Sequence, residues 1–168
     1  MNLYLLRHSN AAELPPPGKK GDRFRRLTPE GREKAVLIGR AIQRLDLGLD
    51  LILTSPADRA LETAETVRAQ LDPQPPLELL EDLWIGGDSG RVVARLGAGR
   101  KKLRSVLLVG HEPDLGRLAS ELLTGGSGMR VIFKKGGLCG LEIARLTRGN
   151  CASLAWHLTP RQLRMLGA

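Results

Sequence analysis

Val106-Leu107-Leu108-Val109, running into Gly110-His111-Glu112, is the stretch that decides the fold of this 168-residue chain. Four aliphatic residues in a row, with no polar alternation, describe a strand covered on both faces, the central position of a sheet flanked by helices. Gly110-His111 marks where that strand leaves the sheet. A helix is predicted directly after it, capped by Asp114, carried by Leu118, Leu122 and Leu123, and stopped by Gly125-Gly126.

The strand-then-helix unit recurs on the N-terminal side. Asn2 to Leu6 reads as a short buried strand ending at Arg7-His8, and Leu49 to Leu53 as another, ended by Ser55-Pro56. Thr28-Pro29-Glu30 opens a helix, with Thr28 as N-cap, Pro29 at the first helical position and an apolar face on Ala35, Ile38, Ile42 and Leu45. A further helix from about Ala57 to Leu71 presents Ala60, Ala64, Val67 and Leu71, and is stopped by Asp72-Pro73 and Pro75-Pro76. Glu13 to Arg26 has three prolines, two glycines and no period, so it reads as a surface loop. Leu77 to Leu80 is a short strand, and Gly86-Gly87-Asp88 a turn leading into a helix through Val92, Val93 and Leu96. Val131 to Phe133, Leu138 to Ala144 and Ser153 to Leu158 read as strands closing the sheet, and Thr159-Pro160 starts a tail helix. With no linker or repeat, this alternation predicts a single domain over residues 1–168, a three-layer α/β sandwich around a mainly parallel sheet.

Composition narrows the function classes. Aromatic residues make up only 3% of the chain, so the core is built from Leu, Val, Ile and Ala. No apolar run reaches about 18 residues, so no membrane span is expected. No basic, apolar, small-residue leader opens the chain, and Cys139 and Cys151 are too few for a disulfide framework, so the expected compartment is the cytoplasm. The net charge of +8 fits an anionic substrate or a solvated basic surface. Nucleic acid is not expected as a partner, because neither stacking aromatics nor a binding module accompanies the charge. The Arg100-Lys101-Lys102 run reads as a solvated loop, and a monomer is the default expectation.

Three elements carry chemistry, each just past the C-terminal end of a predicted strand, where open α/β sheets bind ligands. They are Arg7-His8, Ser55-Pro56 with Arg59 one turn on, and Gly110-His111-Glu112. Two arginines and two histidines on one rim describe a phosphate site: the guanidinium fork matches phosphoryl oxygens, and a neutral imidazole is a competent nucleophile. No His, Cys or acidic cluster has metal-ligand spacing, and no cofactor is expected; His157, on a late strand, reads as structural.

In this order the three elements resemble the histidine phosphatase superfamily, the phosphoglycerate-mutase-like proteins. The short chain, Arg25-Arg26-Leu27-Thr28-Pro29-Glu30-Gly31 and Gly110-His111-Glu112-Pro113-Asp114-Leu115 are similar to its SixA-type phosphohistidine phosphatase branch. The resemblance implies His8 as nucleophile, Arg7 and Arg59 as phosphate clamps, His111 as a further donor, and Arg25 (or its neighbour Arg26) as a substrate-binding arginine. Ser9 stands where the family usually has Gly. Larger members carry a glutamate that protonates the leaving group; the candidates here are Glu81, Asp82 and Asp88, and none matches cleanly. Lys134-Lys135-Gly136-Gly137 reads either as an anion-cradling turn or, preferably, as a charged hairpin turn. The expected activity is metal-independent dephosphorylation of phosphohistidine in a protein partner. The alternatives are a phosphatase for small phosphomonoesters or polyphosphate, and a binding module without turnover; the presence of both His8 and His111 argues against the last.

Overall fold

Residues 1–98, 103–147 and 149–168 are described by the computed structural model; the Arg100-Lys101-Lys102 run lies outside them. The strands are β1 (Asn2–Arg7), β2 (Leu51–Thr54), β3 (Leu77–Leu79), β4 (Ser105–Gly110), β5 (Leu138–Ile143) and β6 (Ala152–Leu158), in the sheet order β3-β2-β4-β1-β5-β6. β4 sits in the middle, paired in parallel with β1 on one side and β2 on the other, as its unbroken apolar run requires. β3 continues the parallel set; β5 runs antiparallel to β1, and β6 antiparallel to β5. The sheet is thus mixed, with a parallel majority.

Because side chains alternate along a strand, each one feeds two cores. Leu3, Leu5, Leu53, Val106 and Leu108 point to the layer formed by α3 (Ser89–Gly97) and α4 (Asp114–Thr124). Tyr4, Leu6, Ile52, Leu107 and Val109 point to the layer of α1 (Pro29–Arg44), α2 (Asp58–Arg68) and α5 (Pro160–Gly167). Each fully buried Leu in these cores stabilises the fold by roughly 1.5–3 kcal/mol. The three-layer α/β fold is as expected.

The start signals of α1, α3 and α5 also hold. Thr28 accepts a hydrogen bond from the Gly31 amide, Asp88 accepts from Gly90 and Arg91, and Thr159 forms a capping box with Gln162. Gly31 has a second constraint: a Cβ there would lie 2.0 Å from the Asn10 carbonyl oxygen, so the chain leaving β1 passes against the first turn of α1.

Three details differ from expectation. Asp114 does not cap α4; Pro113 occupies the cap position, and the Asp114 carboxylate, in the first helical turn, accepts the Gly86 amide at 3.1 Å. α2 ends at Arg68, three residues early, its exit tightened by bonds from Gln70 to Val67 and from Leu71 to Arg68. Val131 to Phe133 forms no strand. The Phe133 amide donates to the Glu112 carboxylate at 2.5 Å and its carbonyl accepts from Arg7 at 2.7 Å, so side chains take the groups that a ladder would use.

Candidate active site

β2, β4 and β1 are neighbours and parallel, so the residues that follow them emerge side by side. The His8 amide donates to the Gly110 carbonyl at 3.1 Å, and the Ser55 amide to the Val109 carbonyl at 2.9 Å. Sheet hydrogen bonding therefore continues one residue past the strands and fixes His8, Ser55 and His111 on one rim. The rings of His8 and His111 stand 5.1 Å apart, centroid to centroid. Arg59, in the first turn of α2, reaches them from the side and is only 3% exposed.

The hydrogen bonds of His8 settle its tautomer. Nδ1 lies 2.7 Å from the Ser9 carbonyl oxygen, which can only accept, so Nδ1 carries the proton. Nε2 is then a lone pair, and it accepts from Arg59 Nε at 3.2 Å. Burial holds the imidazole down at about 3, assisted by the positive charges of Arg59 and Arg7, against the opposing pull of the Ser9 carbonyl. His8 is neutral at pH 7.

His111 is arranged the other way round. Its Nε2 is 2.8 Å from Ser55 Oγ, and Ser55 Oγ already accepts from the Ala57 amide. No other acceptor for the Ser55 hydroxyl proton occurs among the described residues, so the hydroxyl donates to Nε2 and leaves the proton on Nδ1. Burial holds His111 down at about 4, Arg59 adding to the effect. Among the described residues, His111 Nδ1 and Arg7 Nε are the buried side-chain nitrogens left without a partner. Orphaned buried donors on Arg7 and His111, on the rim that carries the His8 lone pair, suit an anion.

Arg7 is aimed by its surroundings. Its Nη1 donates to the Phe133 carbonyl, and the Glu112 carboxylate holds the Phe133 amide. The Lys134–Gly137 turn serves the same backbone. The Gly136 amide, at φ 77°, donates to the carbonyls of Arg7 and His8, and the Gly137 amide to Lys134. Those amides are thus spent within the protein rather than cradling an anion, and the lysine side chains are exposed. Ser9 does not crowd the site, because its hydroxyl donates to the Gly31 carbonyl at 2.7 Å.

The Glu13–Arg26 loop is less passive than its composition suggests. A single 3-10 turn, Asp22–Phe24, brings Asp22 onto Arg59: the Asp22 carbonyl accepts from Nη1 and its carboxylate from Nη2, both at 2.7 Å. Arg25 donates to the other carboxylate oxygen at 2.7 Å, whereas Arg26 faces Asp58 and Glu62 on the outside of α2. Arg25, not Arg26, is brought to the site. Trp84 walls it, edge-on to His111 and 5.8 Å from the Arg59 guanidinium carbon. Of the acid candidates, Glu81 is exposed and pairs with Arg23, Asp82 faces Arg91, and Asp88 caps α3. Asp82 and Asp88 share with His111 the lining of a cavity of about 220 Å³. None is hydrogen-bonded to Arg7, His8, Arg59 or His111.

Asp22 and Trp84 were not singled out by the sequence, and Ser55 and Glu112 only as parts of their motifs. Among the described residues, no group of three or more His, Cys, Asp or Glu is placed to hold a metal ion, and no helix is long and apolar enough to cross a membrane.

A fold of this topology with paired histidines and arginines on its carboxyl rim has a recognisable kin. A model of the histidine phosphatase superfamily (branch 1) matches residues 3–84. The phosphohistidine phosphatase SixA homolog of Haemophilus influenzae is 33% identical over 132 residues, covering 73% of this chain and 77% of that protein. Phosphohistidine phosphatase SixA of Escherichia coli is 28% identical over 169 residues, covering 100% of this chain and 99% of that one. A solved structure of the protein histidine phosphatase SixA complexed with tungstate has a TM-score of 0.82 and 26% identity, over 97% of this chain and 99% of that one. The chain belongs to the histidine phosphatase superfamily and is a phosphatase. Within the superfamily it stands with the SixA-type proteins.

Proposed function

We propose that this phosphatase works through a phosphorylated His8 and that its substrate is phosphohistidine in a protein partner. One observation carries the mechanism: a buried His8 whose lone pair is fixed on Nε2, on the rim that also holds the unpartnered donors Arg7 Nε and His111 Nδ1. His8 Nε2 attacks phosphorus in line as the bond to the leaving nitrogen breaks. Arg7, Arg59 and His111 receive the charge that spreads over the equatorial oxygens. The departing imidazole, already protonated on its other ring nitrogen, keeps the electron pair of the broken bond and leaves as the neutral ring. Water then attacks phospho-His8, giving inorganic phosphate, returning the electron pair to Nε2 and releasing a proton. Arginines supply charge stabilisation that metal ions give elsewhere, so the reaction is read as metal-independent. Arg25 is read as a substrate contact at the mouth.

The substrate assignment rests on the leaving group and on the SixA relatives. An alkoxide needs a proton as it leaves, and Glu81, Asp82 and Asp88 are committed elsewhere. A phosphorylated imidazole protonated on its other nitrogen releases the neutral ring, whose conjugate acid has a pKa near 6.5, and needs no such help from the enzyme. The test compares kcat/KM for a phosphohistidine protein with that for a sugar phosphate. At least a hundredfold preference for the P–N bond is expected, about two Brønsted-catalysed orders of magnitude. Equal values would reject the phosphohistidine assignment and favour a small-molecule phosphatase with Asp82 as its acid.

A further inference from the structure

Arg59 reaches the nucleophile with its donors already taken. In a guanidinium the Nε and Nη2 hydrogens lie parallel on one edge, the edge that receives two oxygens of a carboxylate or phosphate. Here Nε faces His8 Nε2 at 3.2 Å, and Nη2 is filled by Asp22 Oδ2 at 2.7 Å. The second carboxylate oxygen, Oδ1, holds Arg25 Nη1 at 2.7 Å. The Asp22 carboxylate therefore stands where an oxygen of a phosphoryl group on His8 would be received, and it bridges Arg59 and Arg25.

We propose that Asp22 is a specificity-determining residue of the phosphatase: its carboxylate occupies the phosphoryl-receiving edge of Arg59, together with Arg25, and a phosphoryl group must displace it to bind. This rests on the reading of His8, Arg7 and Arg59 as the phosphoryl site. The exchange has a direction, because Arg59 is 3% exposed and cannot turn to water, whereas the Asp22 side chain is 41% exposed and solvent can take it up. Arg59 needs a counter-ion at all times, since a buried guanidinium left alone is strongly unfavourable. A monoanion gains little by replacing one carboxylate with another single charge. A phosphoryl group, close to doubly charged at neutral pH, gains both Arg59 and Arg25. After hydrolysis the carboxylate competes with inorganic phosphate for the same edge and so favours product release.

The test is calorimetric titration with inorganic phosphate of the wild type, Asp22→Asn, Asp22→Ser and Arg59→Ala, with steady-state kinetics alongside. Removing the competing charge should tighten phosphate binding at least tenfold in both Asp22 variants, lower KM, and lower kcat because product leaves slowly. A merely structural Asp22 would leave phosphate affinity unchanged or weaken it. If neither variant folds, the amide resonances of Asp22 and Arg25 in the wild type decide: they must shift on saturation with phosphate. Variants that bind phosphate no more tightly than the wild type, or resonances that stay in place, would overturn the proposal. Wild-type binding that is absent, or that survives Arg59→Ala, would instead bring down the phosphoryl-site reading itself, and the Asp22 proposal with it.

Discussion

The ends of β1 and β4 present the same side chain in the same position, and the proposed mechanism makes opposite use of it. His8 and His111 both follow a parallel strand, both are at least 94% buried, and both are held neutral by that burial. What separates them is the partner of the one ring nitrogen that the protein fills. A carbonyl, which can only accept, takes the Nδ1 proton of His8 and leaves Nε2 as a lone pair. A hydroxyl, which can donate, fills Nε2 of His111 and leaves a proton on Nδ1. On the proposed mechanism, a nucleophile and an electrostatic donor are thus specified by one hydrogen bond each, from residues that need not touch substrate.

The largest effect that can break this comparison is deletion of either ring. On the proposed mechanism His8→Ala removes the group that accepts phosphorus, so turnover should fall below detection and no label should appear on the protein after quenching at neutral or alkaline pH. His111→Ala removes a donor only; kcat/KM should drop roughly 100- to 1,000-fold with His8 still labelled. Equal and complete loss of labelling in both would show that the two histidines do not divide the work in this way.

A smaller effect tests the hydroxyl. Ser55→Ala leaves His111 free to place its proton on Nε2, so the orphaned donor beside the anion site is lost in part of the population. The loss of one buried hydrogen bond corresponds to a fall in kcat/KM of roughly three- to tenfold, with phospho-His8 still formed. Nitrogen-15 spectra should show His111 moving from the Nδ1–H tautomer toward the other. Unchanged kinetics with an unchanged tautomer would remove Ser55 from the argument.

How much of this was legible in the sequence follows from what positions each residue. Arg7, His8 and His111 sit at the ends of apolar runs, and a sheet carries such residues to one rim whatever the loops do. Arg59 could be placed because Ser55-Pro56 announces the end of β2 and the start of α2. Asp22 could not, since an aperiodic loop with three prolines gives no register, and its site contact depends on one 3-10 turn. Glu112 stood inside a quoted motif, but its work is done through Phe133, twenty-one residues on. That distant pairing is also why Val131 to Phe133 was misread as a strand: its β-branched composition is real, and the site's side chains take its backbone groups instead.

The smallest expected effect is on pH dependence, and it distinguishes the paired histidines from ordinary ones. In the unfolded chain both titrate near 6.5. In the folded protein burial holds His8 at about 3 and His111 at about 4. Below pH 6.5 the unfolded state therefore binds protons that the folded state refuses, so stability should decline as pH falls from about 6.5 toward 4. Above 6.5 neither state binds them, and these two residues contribute no slope. His157 is lowered by burial as well and adds to the decline in the same direction, so the share of the site is read by difference. Asp22, lowered by Arg25 and Arg59 against the cost of its own burial, acts in a separate window below about pH 4. The expected result is a Tm that falls less steeply between pH 6.5 and 4 in His8→Asn than in the wild type. His8 and His111 should also keep neutral imidazole nitrogen shifts at pH 5.5. A His8 ring that titrates near 6.5 in the folded protein would mean that its lone pair is not held by burial, and the asymmetry between the two strand ends would then rest on hydrogen bonding alone.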